Sequence, residues 1–303
     1  MSADLIQGLV IRQQAGFYAV FAENREIACK LRGKLKEKKT NEDLAAIGDR
    51  VFITLLSPNE GVIEKVLPRE KAFFRLAPTA RGAYKQILIA NPDKIFLVFA
   101  CAEPAPSLRM LDRFLVIAEK QKIPAVIVAN KVDLVGEQKA REMFDIYPRL
   151  GYKLILTSVK QELNIDLLRR EVQGKISAFS GPSGVGKSSL LNAIQPGLGM
   201  LIGKLKVSSG KGRHTTVVRQ LIRLEDGGFV ADMPGLRSLS LWDTHPEELD
   251  GYFPELRDLV ADCQFNNCSH IMEPGCAVRR ALAEGKINPA RYESYVKLRN
   301  GDD

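Results

Sequence analysis

The run Gly181-Pro182-Ser183-Gly184-Val185-Gly186-Lys187-Ser188 restricts what this chain can fold into more than any other stretch. Such a loop cradles phosphate with backbone N–H groups, so it needs a buried strand before it and a helix N-terminus after it. Both flanks are legible: Lys175–Ser180 reads as a strand and Lys187–Ile194 as a helix. Glycines at 181, 184 and 186 let the N–H groups converge without side-chain obstruction. Lys187 is placed to reach the β- and γ-phosphates and to offset charge during catalysis, and Ser188 to offer its hydroxyl to Mg²⁺. Gly181, Pro182, Ser183, Gly184, Val185, Gly186, Lys187, Ser188 and Ser189 are therefore the candidate phosphate-binding residues.

Upstream of this loop lies Asn130-Lys131-Val132-Asp133, the pattern with which GTPases read guanine. In an ordinary GTPase the phosphate loop comes first, so the expected site is built in a rotated chain order. The tetrapeptide ends an apolar strand, Ala125–Ala129, which is where ligands bind in open α/β sheets. Asp133 would accept from the guanine N1–H and exocyclic amine, Asn130 would tie the turn to the phosphate loop, and the Lys131 stem would lie along the base. Thr157-Ser158-Val159, at the end of the next strand, takes the place of the loop that backs the base. Asp232-Met233-Pro234-Gly235 has the D-x-x-G form of a γ-phosphate-sensing switch. Asp232 would hold a metal-bound water and the Gly235 N–H would meet the γ-phosphate. The residue after that glycine is Leu236, where small GTPases carry a water-positioning glutamine, so slow intrinsic hydrolysis is expected.

Ser208 to Thr216 is glycine-rich and polar, as a segment supplying a Mg²⁺-binding hydroxyl would be. Thr215 and Thr216 both qualify, and His214 is the candidate to orient the attacking water in place of the missing glutamine. Further on, Cys263-x₄-Cys268-x-His270-x₅-Cys276 offers three thiolates and one imidazole, the donor set of a closed, tetrahedral, structural Zn²⁺ site.

The remainder of the chain divides by texture. Residues 1–70 read as short strands (Gly16–Ala22, Glu26–Lys30, Val51–Leu55, Gly61–Val66) with polar turns, the pattern of a small OB-type β-barrel. Its basic stretch carries Lys30, Arg32, Lys34, Lys36, Lys38 and Lys39, and the formal net charge of +8 also fits a polyanionic partner. Residues 71–240 show the strand–helix alternation of a three-layered, mainly parallel sheet, with helices over Ser107–Lys120, Gln138–Leu150 and Leu163–Val172. Arg219–Leu224 and Gly228–Ala231 flank Asp226-Gly227, a hairpin signal. Residues 241–303 read as mostly helical around the cysteine cluster. An odd count of five cysteines argues against a disulfide framework, no apolar run is long enough for a membrane span, and no charged-then-apolar leader opens the chain. A cytoplasmic monomer is the expectation.

Barrel, rotated nucleotide motifs and Cys-Cys-His-Cys cluster together resemble the RsgA (YjeQ/YloQ) family of circularly permuted, small-ribosomal-subunit biogenesis GTPases. The resemblance spans nearly the whole chain. It implies an OB-fold domain, a GTPase domain and a zinc domain acting on the 30S subunit and its 16S rRNA late in maturation. It also implies GTP hydrolysis to GDP that the subunit stimulates, with a catalytic role for the histidine matching His214. Three positions depart from the usual pattern: Val217 stands for a frequent third threonine, Met233 for a threonine, and Val159 for a residue usually small. The competing reading is a GTP-gated RNA-binding module in which hydrolysis is incidental.

Overall fold

The computed structural model describes residues 4–37, 40–79, 82–199, 219–233 and 244–301. They divide into two compact units: those within 4–96, 164–180, 186–199 and 219–233 make the first, and those within 97–163, 181–185 and 244–301 the second. No helix among the described residues is long and apolar enough to cross a membrane.

The first unit opens with β1 (Ile6–Gln14), β2 (Phe17–Ala22) and β3 (Arg25–Leu31), a short helix α1 (Gly33–Lys36), then β4 (Arg50–Ser57) and β5 (Glu60–Val66). The strands pair in the order β1-β2-β3-β5-β4, and β4 pairs back onto Ile6–Leu9 of β1, closing a five-stranded barrel. Val10, Val20, Ile27, Val51, Ile53 and Ile63 fill its interior with no exposed surface. Two tight turns set the register. Ala15-Gly16 and Glu23-Asn24 all have positive φ, the geometry of two-residue hairpins whose twist matches the flanking strands. β1 leaves little trace in the apolar pattern, because its apolar residues Leu9, Val10 and Ile11 cluster instead of alternating. Gly8 explains why the strand still packs: a Cβ there would lie 2.4 Å from Val20 Cγ1.

A hairpin that no alternating pattern announces follows the barrel, β6 (Ala72–Thr79) with β7 (Gly82–Ala90). Arg69, just before it, forks onto buried Asp49, its Nε and Nη2 each 2.8 Å from a carboxylate oxygen.

The α/β sheet comprises β8 (Lys94–Ala100), β9 (Ala125–Asn130), β10 (Lys153–Leu156), β11 (Ile176–Ser180), β13 (Ile222–Arg223) and β14 (Phe229–Asp232). In the second unit β10, β9 and β8 lie side by side in that order, and in the first unit β11, β14 and β13 do. β9 and β10 are parallel, β11 and β14 are parallel, and the expected hairpin pairs β13 with β14 antiparallel. Helices α2 (Leu108–Lys120), α3 (Glu137–Phe144), α4 (Ile146–Arg149), α5 (Ile165–Val172) and α6 (Lys187–Ile194) alternate with the strands as the apolar periodicity predicts. The helix expected over Gln138–Leu150 is two helices, breaking at Asp145. β12 (Arg219–Gln220) does not join this sheet; it pairs with Arg12 and Gln13 of β1, extending the barrel sheet. No local pattern in a two-residue strand announces that partner.

In the second unit the C-terminal region is helical, with a 3₁₀ turn at Pro246–Tyr252 and helices at Pro254–Arg257, Ala277–Ala283 and Pro289–Asn300. Leu249, Phe253, Leu256, Val278, Ile287 and Tyr295 form its core, which Val116 of α2 joins. Beside this core lies a buried ion cluster. Arg291, 2% exposed, donates to Asp112 Oδ1 at 2.6 Å and to Glu255 at 2.7 and 3.2 Å, while Tyr147 donates to the same Asp112 oxygen at 2.8 Å. Removing one partner of such a cluster strands the other charges in a poorly polarisable site. Arg291→Ala is therefore expected to cost about 3–5 kcal/mol of stability, read from the urea unfolding midpoint. An unchanged midpoint would show that the carboxylates find other partners.

Candidate nucleotide site and metal centre

In the second unit β9 delivers Asn130, 2% exposed, and the chain turns at once through Lys131, whose φ is +61°. Asn130 Nδ2 donates to the Val185 carbonyl of the glycine-rich loop at 2.9 Å, and Asn130 Oδ1 accepts from Thr157 Oγ1 at 3.1 Å. The Val132 N–H donates to the Thr157 carbonyl at 3.1 Å, so the turn is fastened to the end of β10 by backbone as well as side chain. Ser158 Oγ donates to Asp133 Oδ1 at 2.6 Å and accepts from the Gln161 N–H at 3.2 Å. The Gln161 N–H thus orients the hydroxyl that holds one Asp133 carboxylate oxygen. Val159 is partly exposed beside them.

The loop after β8 adds contacts that sequence reasoning missed. Lys131 Nζ donates to the Glu103 carbonyl, and Pro104 Cδ lies 3.7 Å from where a Cβ on Gly184 would sit. Gly181 is under the tightest constraint: a Cβ there would stand 2.0 Å from the Val98 carbonyl oxygen. Gly184 and Gly186 have φ of +81° and +93°. The loop thus needs glycine at 181 for space and at 184 and 186 for conformation. Pro182 and Val185 are buried, whereas Ser183 and Gly184 are exposed. Cys101, at the end of β8, is buried, and burial followed by the Asp133 carboxylate pushes its thiol up to about 11. It is no nucleophile at neutral pH.

In the first unit Gly186 is the left-handed residue that starts α6, with Lys187, Ser188 and Ser189 in its first turn. Ser188 and Ser189 are exposed. The far end of α6 is held by Arg169 of α5, whose Nη2 and Nε donate to the Ala193 and Ile194 carbonyls at 2.9 and 3.0 Å. A guanidinium on the last carbonyls satisfies the helix end and complements its dipole, fixing the helix that carries Lys187. β14 ends in Asp232, in register with Phe179 of β11, and the Met233 N–H donates to the Phe179 carbonyl at 2.8 Å. Asp232 is partly exposed at that strand end. His214, Thr215, Thr216 and Gly235 lie outside the described residues, as does Leu236.

The cysteine cluster is compact. Sγ of Cys263, Cys268 and Cys276 and a ring nitrogen of His270 all lie within 4.8 Å of one another. His270 Nδ1 is 3.5 Å from Cys263 Sγ and 3.4 Å from Cys276 Sγ, and those two sulfurs are 4.0 Å apart. A tetrahedron of ligands at about 2.3 Å from an ion has edges near 3.8 Å, so the four atoms can hold a metal ion. Around them the loop is tightly bonded. Glu273 accepts from the Ser269, Ile271 and Met272 N–H groups, and the Ser269 hydroxyl, followed by the Ser269, Glu273 and Met272 amides, holds its carboxyl down at about 2. Asp250, which no ligand spacing signals, lies 3.1 Å from His270 Nε2.

A sequence model described as the RsgA GTPase matches residues 66–242, and one described as the RsgA N-terminal domain matches residues 7–63. The chain is 43% identical, over 296 residues, to the small ribosomal subunit biogenesis GTPase RsgA of Gemmatimonas aurantiaca, covering 97% of this chain and 96% of that protein. It is 42% identical to the protein of the same name from Moorella thermoacetica, covering 96% and 95%. Among solved structures it is similar to YjeQ from Thermotoga maritima, with a TM-score of 0.81 at 37% identity over 99% of both chains. It is also similar to YloQ, described as a circularly permuted GTPase, with a TM-score of 0.74 at 31% identity over 99% of this chain and 95% of the other.

Proposed function

This chain belongs to the RsgA family and is a GTP hydrolase, and from that premise we propose that it acts in maturation of the small ribosomal subunit, binding 16S rRNA and hydrolysing GTP faster on the 30S particle. The observation that carries the reading is the hydrogen bond from Asn130 to the Val185 carbonyl, which ties the guanine-reading turn to the phosphate loop in a chain where the turn comes first. Residues 1–70 are assigned to rRNA contact, 71–240 to nucleotide chemistry and 241–303 to a zinc domain. The protein works as a cytoplasmic monomer.

In this reading Asn130, Lys131 and Asp133, backed by Thr157, Ser158 and Val159, hold the guanine. Gly181 to Ser189 hold the phosphates. Lys187 and the backbone N–H groups offset charge that develops as water attacks the γ-phosphate. The exposed Ser188 hydroxyl and the Asp232 carboxylate are hard oxygen donors suited to Mg²⁺, with Thr215 or Thr216 as a further ligand and Asp232 acting through water. Mg²⁺ bound with GTP would neutralise charge on the β- and γ-phosphates. Gly235 meets the γ-phosphate through its N–H. His214 orients the water, because Leu236 carries no polar atom to do so. Three thiolates and an imidazole are the donor set of structural Zn²⁺, which we assign to Cys263, Cys268, His270 and Cys276.

The test is GTP turnover measured with and without 30S subunits. Stimulation is expected; equal rates would overturn the view that the subunit completes the site. His214→Ala should slow the stimulated rate while leaving GTP affinity near its original value. A collapse of affinity with turnover per bound nucleotide unchanged would make His214 a binding residue instead.

A further inference from the structure

Four ligands account for the metal but not for the orientation of the imidazole among them. His270 has a φ of +62° and no exposed surface. Its carbonyl accepts from Tyr292 OH at 2.7 Å, and the Ser269 carbonyl accepts from Tyr295 OH at 2.9 Å, so the backbone beneath the ring is held from helix Pro289–Asn300. What these bonds leave free is the choice of tautomer. A neutral imidazole has one N–H and one lone pair, and only the lone pair can take a metal. If the N–H were on Nδ1, it would point into the thiolates and the site would lose its fourth ligand.

Nδ1 is the nitrogen that faces Cys263 and Cys276, and Nε2 faces Asp250 Oδ2 at 3.1 Å. Asp250 is itself restrained. Its Oδ1 accepts the Gly251 N–H at 2.7 Å, its side chain is 14% exposed, and its neighbour Leu249 is buried in the C-terminal core. A carboxylate accepts but does not donate, so it stabilises only the tautomer with the proton on Nε2. Resting on the zinc assignment above, we infer that Asp250 is the positioning residue of this metal site: it keeps the proton on Nε2 and thereby presents the Nδ1 lone pair to the ion. Partners of this kind fix ring orientation and raise ligand basicity, and losing them weakens metal binding by roughly 10–100-fold.

The experiment uses the full-length, ¹⁵N-labelled, zinc-loaded protein. Long-range ¹H–¹⁵N correlation is expected to show His270 with a metal-bound Nδ1 and a protonated, slowly exchanging Nε2. In competition with a chromogenic chelator, Asp250→Ala should lose about 10-fold or more in zinc affinity. Asp250→Asn should recover part of it: its amide oxygen can still accept from Nε2–H, with its NH₂ then facing the Gly251 N–H in place of Oδ1. A metal-bound Nε2 in the parent protein would overturn the inference even if the alanine variant failed to fold. So would an alanine variant that binds zinc within twofold of the parent and keeps its tautomer. A parent protein that takes up no zinc would overturn the zinc assignment and this inference with it, a result distinct from either of the others.

Discussion

Cys276→Ala, or exhaustive chelation of the parent protein, is expected to abolish the fold of the C-terminal region. The reason lies in how that region is built. Two of the assigned ligands, Cys268 and Cys276, are core residues, each 6% exposed, packed with Leu249, Phe253, Val278 and Tyr295. Residues 263–276 contain no helix or strand, so that stretch is held by ligand bonds, by the amides gathered by Glu273 and by the Tyr292 and Tyr295 hydroxyls on the His270 and Ser269 carbonyls. Cys276 does a second job: its Sγ accepts from the Arg279 N–H at 3.4 Å and caps the helix Ala277–Ala283. Structural zinc contributes on the order of 10 kcal/mol, more than a core of this size supplies on its own. Amide exchange and limited proteolysis over residues 246–300 are the measurements. Protection that survives removal of the metal would show that the apolar core and the Arg291 cluster suffice.

Asp133→Asn is expected to reverse the base preference. As assigned, the carboxylate accepts from both the N1–H and the exocyclic amine of guanine, while Ser158 holds Oδ1 at 2.6 Å. An asparagine has one acceptor and one donor, so its NH₂ would oppose the guanine amine and leave buried polar groups mismatched. Sites that read a base through such bonds discriminate by about 10⁴-fold. GTP affinity should fall by roughly that order, and XTP affinity should rise, because xanthine offers a carbonyl where guanine has its amine. Titration of the variant with both nucleotides checks this. Retained preference for GTP would remove Asp133 from the base site.

The parts of the site legible in the sequence are those held by residues close together in the chain. The phosphate loop is one contiguous run because its work is done by consecutive backbone N–H groups, and steric demand writes the glycines directly: at Gly181 there is no room for a methyl group. The cysteine cluster is legible because a loop must bring its ligands round one ion. The barrel strands showed where apolar and polar residues alternate and were lost where they did not, as in β1. Glu103, Arg169 and Asp250 stayed hidden for a common reason. Each acts on a partner distant in sequence: Glu103 through its backbone carbonyl, Arg169 by reaching the end of another helix, and Asp250 by facing an imidazole nitrogen. Nothing in a single sequence marks such an arrangement.

The amino-acid sequence by itself determined the chemical groups available to this chain: a glycine-rich loop, an Asn-Lys-x-Asp turn placed ahead of it, a set of thiolate and imidazole donors that can hold a metal ion, and the strand and helix periods that carry them. Those are properties of residue type and short spacing, which local sterics and donor inventory dictate. Tertiary structure alone decided how the pieces are held. It set Asn130 against the Val185 carbonyl, put β12 on the barrel edge of β1, buried Arg291 between Asp112 and Glu255, and turned His270 toward the thiolates with Asp250 behind it. Each of these contacts joins residues far apart in the chain, and only burial and close packing of the whole fold select them over the alternatives that the same residue types would allow.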